Sequence, residues 1–423
     1  MRSVLLVLLS VSIFSASPAS VRAALTALPP QAAQVADTDN GCLSCHATER
    51  EAAVEGVHAE RGVTCVSCHG GNPRATELPA GHSGRFVGVP NKEQTTALCG
   101  SCHSNPGMMR QYGLPTGQLA EFRASRHGQL LLGQHDNAAP TCTDCHGTHI
   151  IYPPYDARSR VYPPNIPGTC AECHADSDLM ARYRLPTDQF DAFRHSAHGV
   201  ALFQDQNFAA PTCVSCHGAH SELPPSVSEI ANVCGQCHLL VEEQFAQGPH
   251  GAATRAGDLR GCIACHSNHG TERVALEETA ATCDQCHASD SRLHQMGVDL
   301  QDGMEQARSD LESAQRALQE LASSGYRVDD YQFRYQSALT YYLQIAQKQH
   351  RLDPDTLEYL NTRVRAISVE LGARAEASRE ARFEHRLLLL PIWFLTLSAI
   401  ALALMSLRAL KRSGPDTEHV EAP

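Results

Sequence analysis

The pattern of apolar positions divides the chain near residue 294. Beyond it, Met304, Ala307, Leu311, Ala314, Leu318 and Leu321 recur at alternating spacings of three and four, a heptad seam on one helix face. Ser323-Ser324-Gly325 ends that helix. A second helix is predicted over about 329–349, presenting Tyr331, Tyr335, Ala338, Tyr342 and Ile345. Asp353-Pro354 then supplies an N-cap followed by proline at the first helical position, and Leu357, Leu360, Val364, Ile367 and Leu371 form a third seam. Three antiparallel helices of this kind pack as a bundle within the chain, or else serve as an oligomerisation stalk. A Tyr stripe at helical spacing is core material.

Two further apolar runs flank this organisation. Residues 387–407 read LLLLPIWFLTLSAIALALMSL, 21 positions without a charge, long enough to cross a bilayer core of about 30 Å. Arg382 and Arg386 on one side and Arg408, Lys411 and Arg412 on the other leave the positive-inside rule undecided. At the other end, residues 1–23 carry Arg2, an apolar stretch over 4–14 and small residues leading to Val21-Arg22-Ala23, the layout of a secretory signal peptide. Export by that signal would put the bulk of the protein outside the cytoplasm and 408–423 inside.

Composition changes the picture of the remaining stretch. Aromatic residues are 5% and Trp occurs once, too few large side chains for an apolar core along the whole length. The 18 cysteines are far more than a cytosolic protein of 423 residues carries. Net charge is −12, and removal of Arg2 and Arg22 with the signal makes it −14, which argues against nucleic acid as a partner.

Every cysteine falls in a Cys-x-x-Cys-His string: Cys42/Cys45/His46, Cys65/Cys68/His69, Cys99/Cys102/His103, Cys142/Cys145/His146, Cys170/Cys173/His174, Cys213/Cys216/His217, Cys234/Cys237/His238, Cys262/Cys265/His266 and Cys283/Cys286/His287. Two thiols at this spacing add to the two vinyl groups of one haem, and the adjacent histidine becomes the proximal iron ligand. Zinc sites and thioredoxin-like motifs do not place a histidine after each of nine pairs. Nine covalently bound haem c groups follow, and these flat, mostly apolar groups would fill the interior the side chains leave empty.

Of the 23 histidines, nine belong to the motifs, leaving fourteen. His149, His220 and His269 each stand three residues past a motif histidine, too near to reach the far face of the same haem, so each should ligate a neighbour. His127 and His198 both follow a motif cysteine (Cys99, Cys170) by 28 residues, and His58 and His250 both follow one (Cys42, Cys234) by 16. With His82 and His294 these make nine distal candidates. Met109 and Met180 match each other as well, and serve either as axial ligands that raise a potential or as packing.

The stretch 99–149 aligns without gaps on 170–220 at an offset of 71 residues, a duplicated two-haem module. Shorter versions at 42–82 and 234–269 flank it, with connectors such as Tyr152-Pro153-Pro154. The CHGTH and CHGAH strings and the F-R-x-S-x-HG segments at Phe122 and Phe193 resemble those of multihaem cytochromes with doubled CxxCH motifs, the cytochrome c3-like group. That resemblance implies electron relay between a membrane quinol-oxidising system and periplasmic or extracellular acceptors. The long helices after the last motif resemble the C-terminal helices of pentahaem nitrite reductases and octahaem hydroxylamine oxidoreductases.

The expected fold is therefore mainly α with much irregular coil. A signal peptide (1–23) precedes haem-packed cytochrome modules (24–294), a haem-free helical bundle or coiled coil (295–386), one transmembrane helix (387–407) and a cytoplasmic tail (408–423). The expected function is that of a membrane-anchored electron carrier on the periplasmic face of a bacterial inner membrane. Its partners would be an integral membrane quinone-linked subunit and a periplasmic or outer-membrane cytochrome. The competing function is a multihaem oxidoreductase of nitrite, hydroxylamine or a sulfur oxyanion, which requires one five-coordinate haem.

Overall fold

A computed structural model describes residues 40–51, 54–221, 229–272 and 274–412; the proposed signal peptide and most of the tail lie outside them. Among the described residues the regular structure is helical throughout, in agreement with the mainly α expectation. The described residues form two compact units, those within 40–191 together with 201–221, and 192–200 together with those from 229 to 412. This division differs from the boundary drawn at 294, because the last three attachment motifs group with the C-terminal helices.

The first unit has little apolar core. Among the described residues between 40 and 294 the buried hydrophobic side chains are Leu43, Met109, Leu131, Ala139, Met180 and Leu202, whereas thirteen are buried between 304 and 375. Short helices carry most of the motifs. Three of them, Cys65–His69, Cys142–His146 and Cys213–His217, start the same way: the N–H of Thr64, Thr141 and Thr212 donates to the side chain of Ser67, Asp144 and Ser215 at 3.1, 2.7 and 3.0 Å. Threonine before the first cysteine and a short polar residue before the second are thus half of a reciprocal cap that holds the motif in one helical turn.

Three long helices complete the second unit: α1 (Arg292–Ser323), α2 (Asp329–Lys348) and α3 (Pro354–Arg412). Ser291 caps α1 by accepting the His294 N–H at 3.1 Å, and Gly325 beyond its end takes a positive φ of 78°. The three seams meet in two clusters, one around Ala314, Leu321, Ala338 and Leu371, the other around Met304, Ala307, Ile345, Leu360 and Val364. Leu318, expected in the seam, is only half-buried and Ala317 takes its place.

The helix α3 continues without interruption past the bundle. Pro391 lies inside it, and the apolar residues of 387–407 are exposed, with a mean hydropathy of 2.4 over the most apolar window. The seams are occupied within the chain, which leaves this segment as the one long apolar surface among the described residues.

Candidate functional site

Eight motif histidines each face a second imidazole. The pairs and their centroid separations are His46–His82 at 6.3 Å, His58–His103 at 6.1 Å, His69–His149 at 6.3 Å and His127–His174 at 6.1 Å. The others are His146–His220 at 6.1 Å, His198–His238 at 6.2 Å, His250–His287 at 6.1 Å and His266–His350 at 6.2 Å. Such rings are too far apart to touch. With a metal–imidazole bond of about 2.0 Å and a ring centroid about 1.1 Å behind its nitrogen, two imidazoles on opposite sides of one metal ion have centroids about 6.2 Å apart. The spacing therefore fits an iron between each pair. The remaining motif histidine, His217, and the remaining spacing candidate, His269, belong one to each unit.

Two local devices aim most of the distal candidates. His58, His127, His198 and His250 are each the second residue of a helix, in Val57–Glu60, Arg126–Gly128, Ala197–Phe203 and Pro249–Ala256. Ser125 Oγ accepts the N–H of Gly128 at 3.1 Å and Ser196 Oγ that of Gly199 at 3.0 Å, which is why the repeated segment reads F-R-x-S-x-H-G. The other device follows the motif helix. Gly147 and Gly218 have φ of 88° and 86° with an extended ψ, which sends the chain sharply away and places His149 and His220 at other motifs. His82 ends the short helix Leu78–Gly81 and is stacked on Phe86 with centroids 4.0 Å apart.

The pairing ties modules together. His58 of the first module faces His103 of the second, whose His149 faces His69 of the first. The second module's His127 faces His174 of the third, whose His220 faces His146 of the second. Crossed pairing of this kind is what the short CHGxH spacing predicts.

The two cysteines of a motif differ in setting. All nine first cysteines are half-buried, whereas of the second ones Cys45, Cys68, Cys145, Cys216, Cys237, Cys265 and Cys286 are exposed and only Cys102 and Cys173 are half-buried. The spacing alone treats the two thiols as equivalent. Residues three apart lie on the same side of a helical turn, so the difference comes from what packs against each end of the motif rather than from the turn itself. First cysteines also meet within modules. The Cys99 thiol is pushed up first by its hydrogen bond to Cys142 and then by burial, while that same bond pulls Cys142 down. Cys234 and Cys262 repeat the relationship, and Cys213 is pulled down by its bond to Cys170. With both sulfurs in thioethers these titrations disappear, but the closeness of adjacent attachment points remains.

The rings are set up as ligands. Burial, the leading cause, pushes His58, His103, His146, His198, His250 and His350 below the usual histidine range, favouring the neutral form that binds metal. Nδ1 is engaged elsewhere: by Gly88 O at 3.0 Å for His69, Glu272 O at 3.1 Å for His266, Gln347 O at 3.1 Å for His350 and the Glu49 carboxylate at 2.7 Å for His149. An engaged Nδ1 fixes the tautomer and leaves Nε2 for a metal.

Not every candidate stands opposite a motif histidine in these pairs. His294 is held at the start of α1, its Nδ1 hydrogen-bonded to Asp284. The rings facing His266 and His287 are His350 and His250. Sequence reasoning missed His350, at the end of α2, because no spacing repeats it and nine nearer histidines already satisfied the count. Met109 and Met180 are buried, and the rings opposite His103 and His174 are histidines.

A sequence model of the cytochrome c3 family matches residues 134–239, a stretch that contains four of the attachment motifs. The chain is a multihaem c-type cytochrome. It is similar to the multiheme cytochrome MtrA of Shewanella baltica (strain OS185), with 24% identity over 219 residues, 47% of this chain and 52% of that one. The cytochrome thus spans about half the length of the curated relative it matches. No solved structure matches it. Covalent haem c comes with the family, and no disulfide competes for any of the 18 cysteines.

Proposed function

We propose that this cytochrome carries nine haem c groups with histidine on both faces of the iron, and that it relays electrons without transforming a substrate. The observation that carries this reading is the set of eight histidine pairs 6.1–6.3 Å apart. Haem c supplies a one-electron ferric/ferrous couple when bound. Each motif would hold its haem through both sulfurs. The second of these cysteines is exposed at Cys45, Cys145, Cys216, Cys237 and Cys286 among others and half-buried at Cys102. The paired imidazoles would keep the eight irons between them six-coordinate in both oxidation states, leaving no open position there for nitrite, hydroxylamine or a sulfur oxyanion. Crossed ligation between modules would hold successive haems close enough for electron hopping.

The exposed apolar part of α3 supports a membrane anchor, since 21 residues at about 1.5 Å each match the hydrocarbon thickness. Haem c is attached outside the bacterial cytoplasm, so the modules would lie on the periplasmic side. The span contains no histidine or carboxylate to handle quinol protons, and a separate integral membrane subunit would deliver the electrons. A periplasmic or outer-membrane cytochrome would receive them. The test is to reduce the purified cytochrome and offer it, separately, a second c-type cytochrome and each of the three small substrates. Rapid reoxidation by the protein alone is expected; catalytic turnover of a small substrate would overturn the carrier reading.

A further inference from the structure

The C-terminal helical hairpin contains no attachment motif and by sequence plays no part in haem binding. Its tip nevertheless reaches a haem site within the second unit. The ring of His350, between α2 and α3, faces that of His266 at 6.2 Å, within the range of the other pairs. We propose that His350 is the sixth ligand of the haem attached at Cys262 and Cys265, so that the hairpin is itself a haem-binding element. This inference rests on the reading of the facing pairs as haem ligands.

Three observations beyond the distance support it. The His350 ring is oriented by its own backbone, with Nδ1 at 3.1 Å from Gln347 O, and His266 is held in the same way by Glu272 O at 3.1 Å. Both rings therefore have Nδ1 occupied and keep Nε2 as the nitrogen free for a metal. The turn after His350 is fixed by Leu352, a non-glycine residue at φ 56°.

The third observation is a sequence change that this packing accounts for. Phe245-Ala246-Gln247-Gly248-Pro249-His250-Gly251 is a third copy of the segment that places His127 and His198, but glycine stands where the other two have Ser125 and Ser196. A Cβ on Gly248 would lie 2.8 Å from the carbonyl oxygen of Arg351 and 3.2 Å from that of His350. Arg351 also donates from Nη1 to Gln247 Oε1 at 3.2 Å. The capping serine has been given up where the His350 turn passes, and the turns bearing two distal ligands, His250 and His350, pack on each other.

The test uses the full-length detergent-extracted cytochrome and its H350G, H294G and G248S variants. Haem is counted by pyridine haemochrome and spin state is read by EPR of the oxidised protein. H350G is expected to keep the wild-type haem count while one haem becomes high-spin, binds carbon monoxide when reduced, and returns to low spin with added imidazole. G248S is expected to show part of the same change, and H294G none of it. A wholly low-spin H350G, or a high-spin haem in H294G, overturns the proposal. Should H350G not accumulate, H350M is expected to retain the fold and shift one haem to a higher potential, as Met/His ligation does; an unchanged redox titration would contradict the assignment. Wild-type protein without covalent low-spin haem would sink the underlying haem reading, and that is seen before any substitution is made.

Discussion

The carbonyl oxygen of Phe122 occupies the space that a Cβ on Gly128 would need, and Phe193 O stands over Gly199 in the same way. Neither glycine has a positive φ; each is required by the closeness of the preceding turn. Gly128→Ala is expected to force that turn open, move His127 away from His174 and destabilise the fold by about 1–3 kcal/mol, as overpacking does. Thermal unfolding and the appearance of one high-spin signal check this. Gly133→Ala, where an added Cβ meets nothing within 4 Å, should change stability by no more than about 0.5 kcal/mol.

A second prediction comes from Ser267. It follows the motif helix Ile263–His266 with φ 59° and ψ 179°, in the region that Gly147 and Gly218 occupy after theirs. A side chain there costs of order 1–3 kcal/mol. Ser267→Gly should therefore raise the unfolding temperature, and Gly147→Ala should lower it. An unchanged melting temperature in Ser267→Gly would show that the turn is not strained.

Glu49 tests the outer layer of the sites. Its carboxylate sits 2.7 Å from Nδ1 of His149, and a charged acceptor there makes the imidazole a better donor to ferric iron. Glu49→Gln is expected to raise the potential of a single haem while leaving its spin state low. A spectroelectrochemical titration resolves the change, and a titration identical to wild type contradicts it.

Much of this arrangement was readable from the chain because it is written in repeats. The spacings shared by His127 with His198 and by His58 with His250 report a recurring placement of the histidine as second residue of a helix, serine-capped in the first pair and started at glycine in the second, and three residues from a motif histidine to His149 or His220 is too short to reach round the same haem. The bundle was equally plain, since Leu357, Leu360, Val364, Ile367 and Leu371 are all buried as one stripe. What has no local signature was missed. His350 meets His266 only through the fold of α1, α2 and α3, whereas His294 lies seven residues beyond a motif histidine and so looked the better ligand. Ser291 and Asp284 hold it instead. The one trace of the true neighbour was Gly248 in place of serine, legible once the third copy of the segment is aligned.

The central claim is that the irons have histidine on both faces. EPR of the fully oxidised, air-purified cytochrome, quantified against a haemochrome count, tests it most directly. The account predicts nine haems per chain, low-spin ferric signals throughout, and no change on addition of nitrite or hydroxylamine. A high-spin signal amounting to one haem or more, converted by either molecule, would contradict it and make the protein an enzyme.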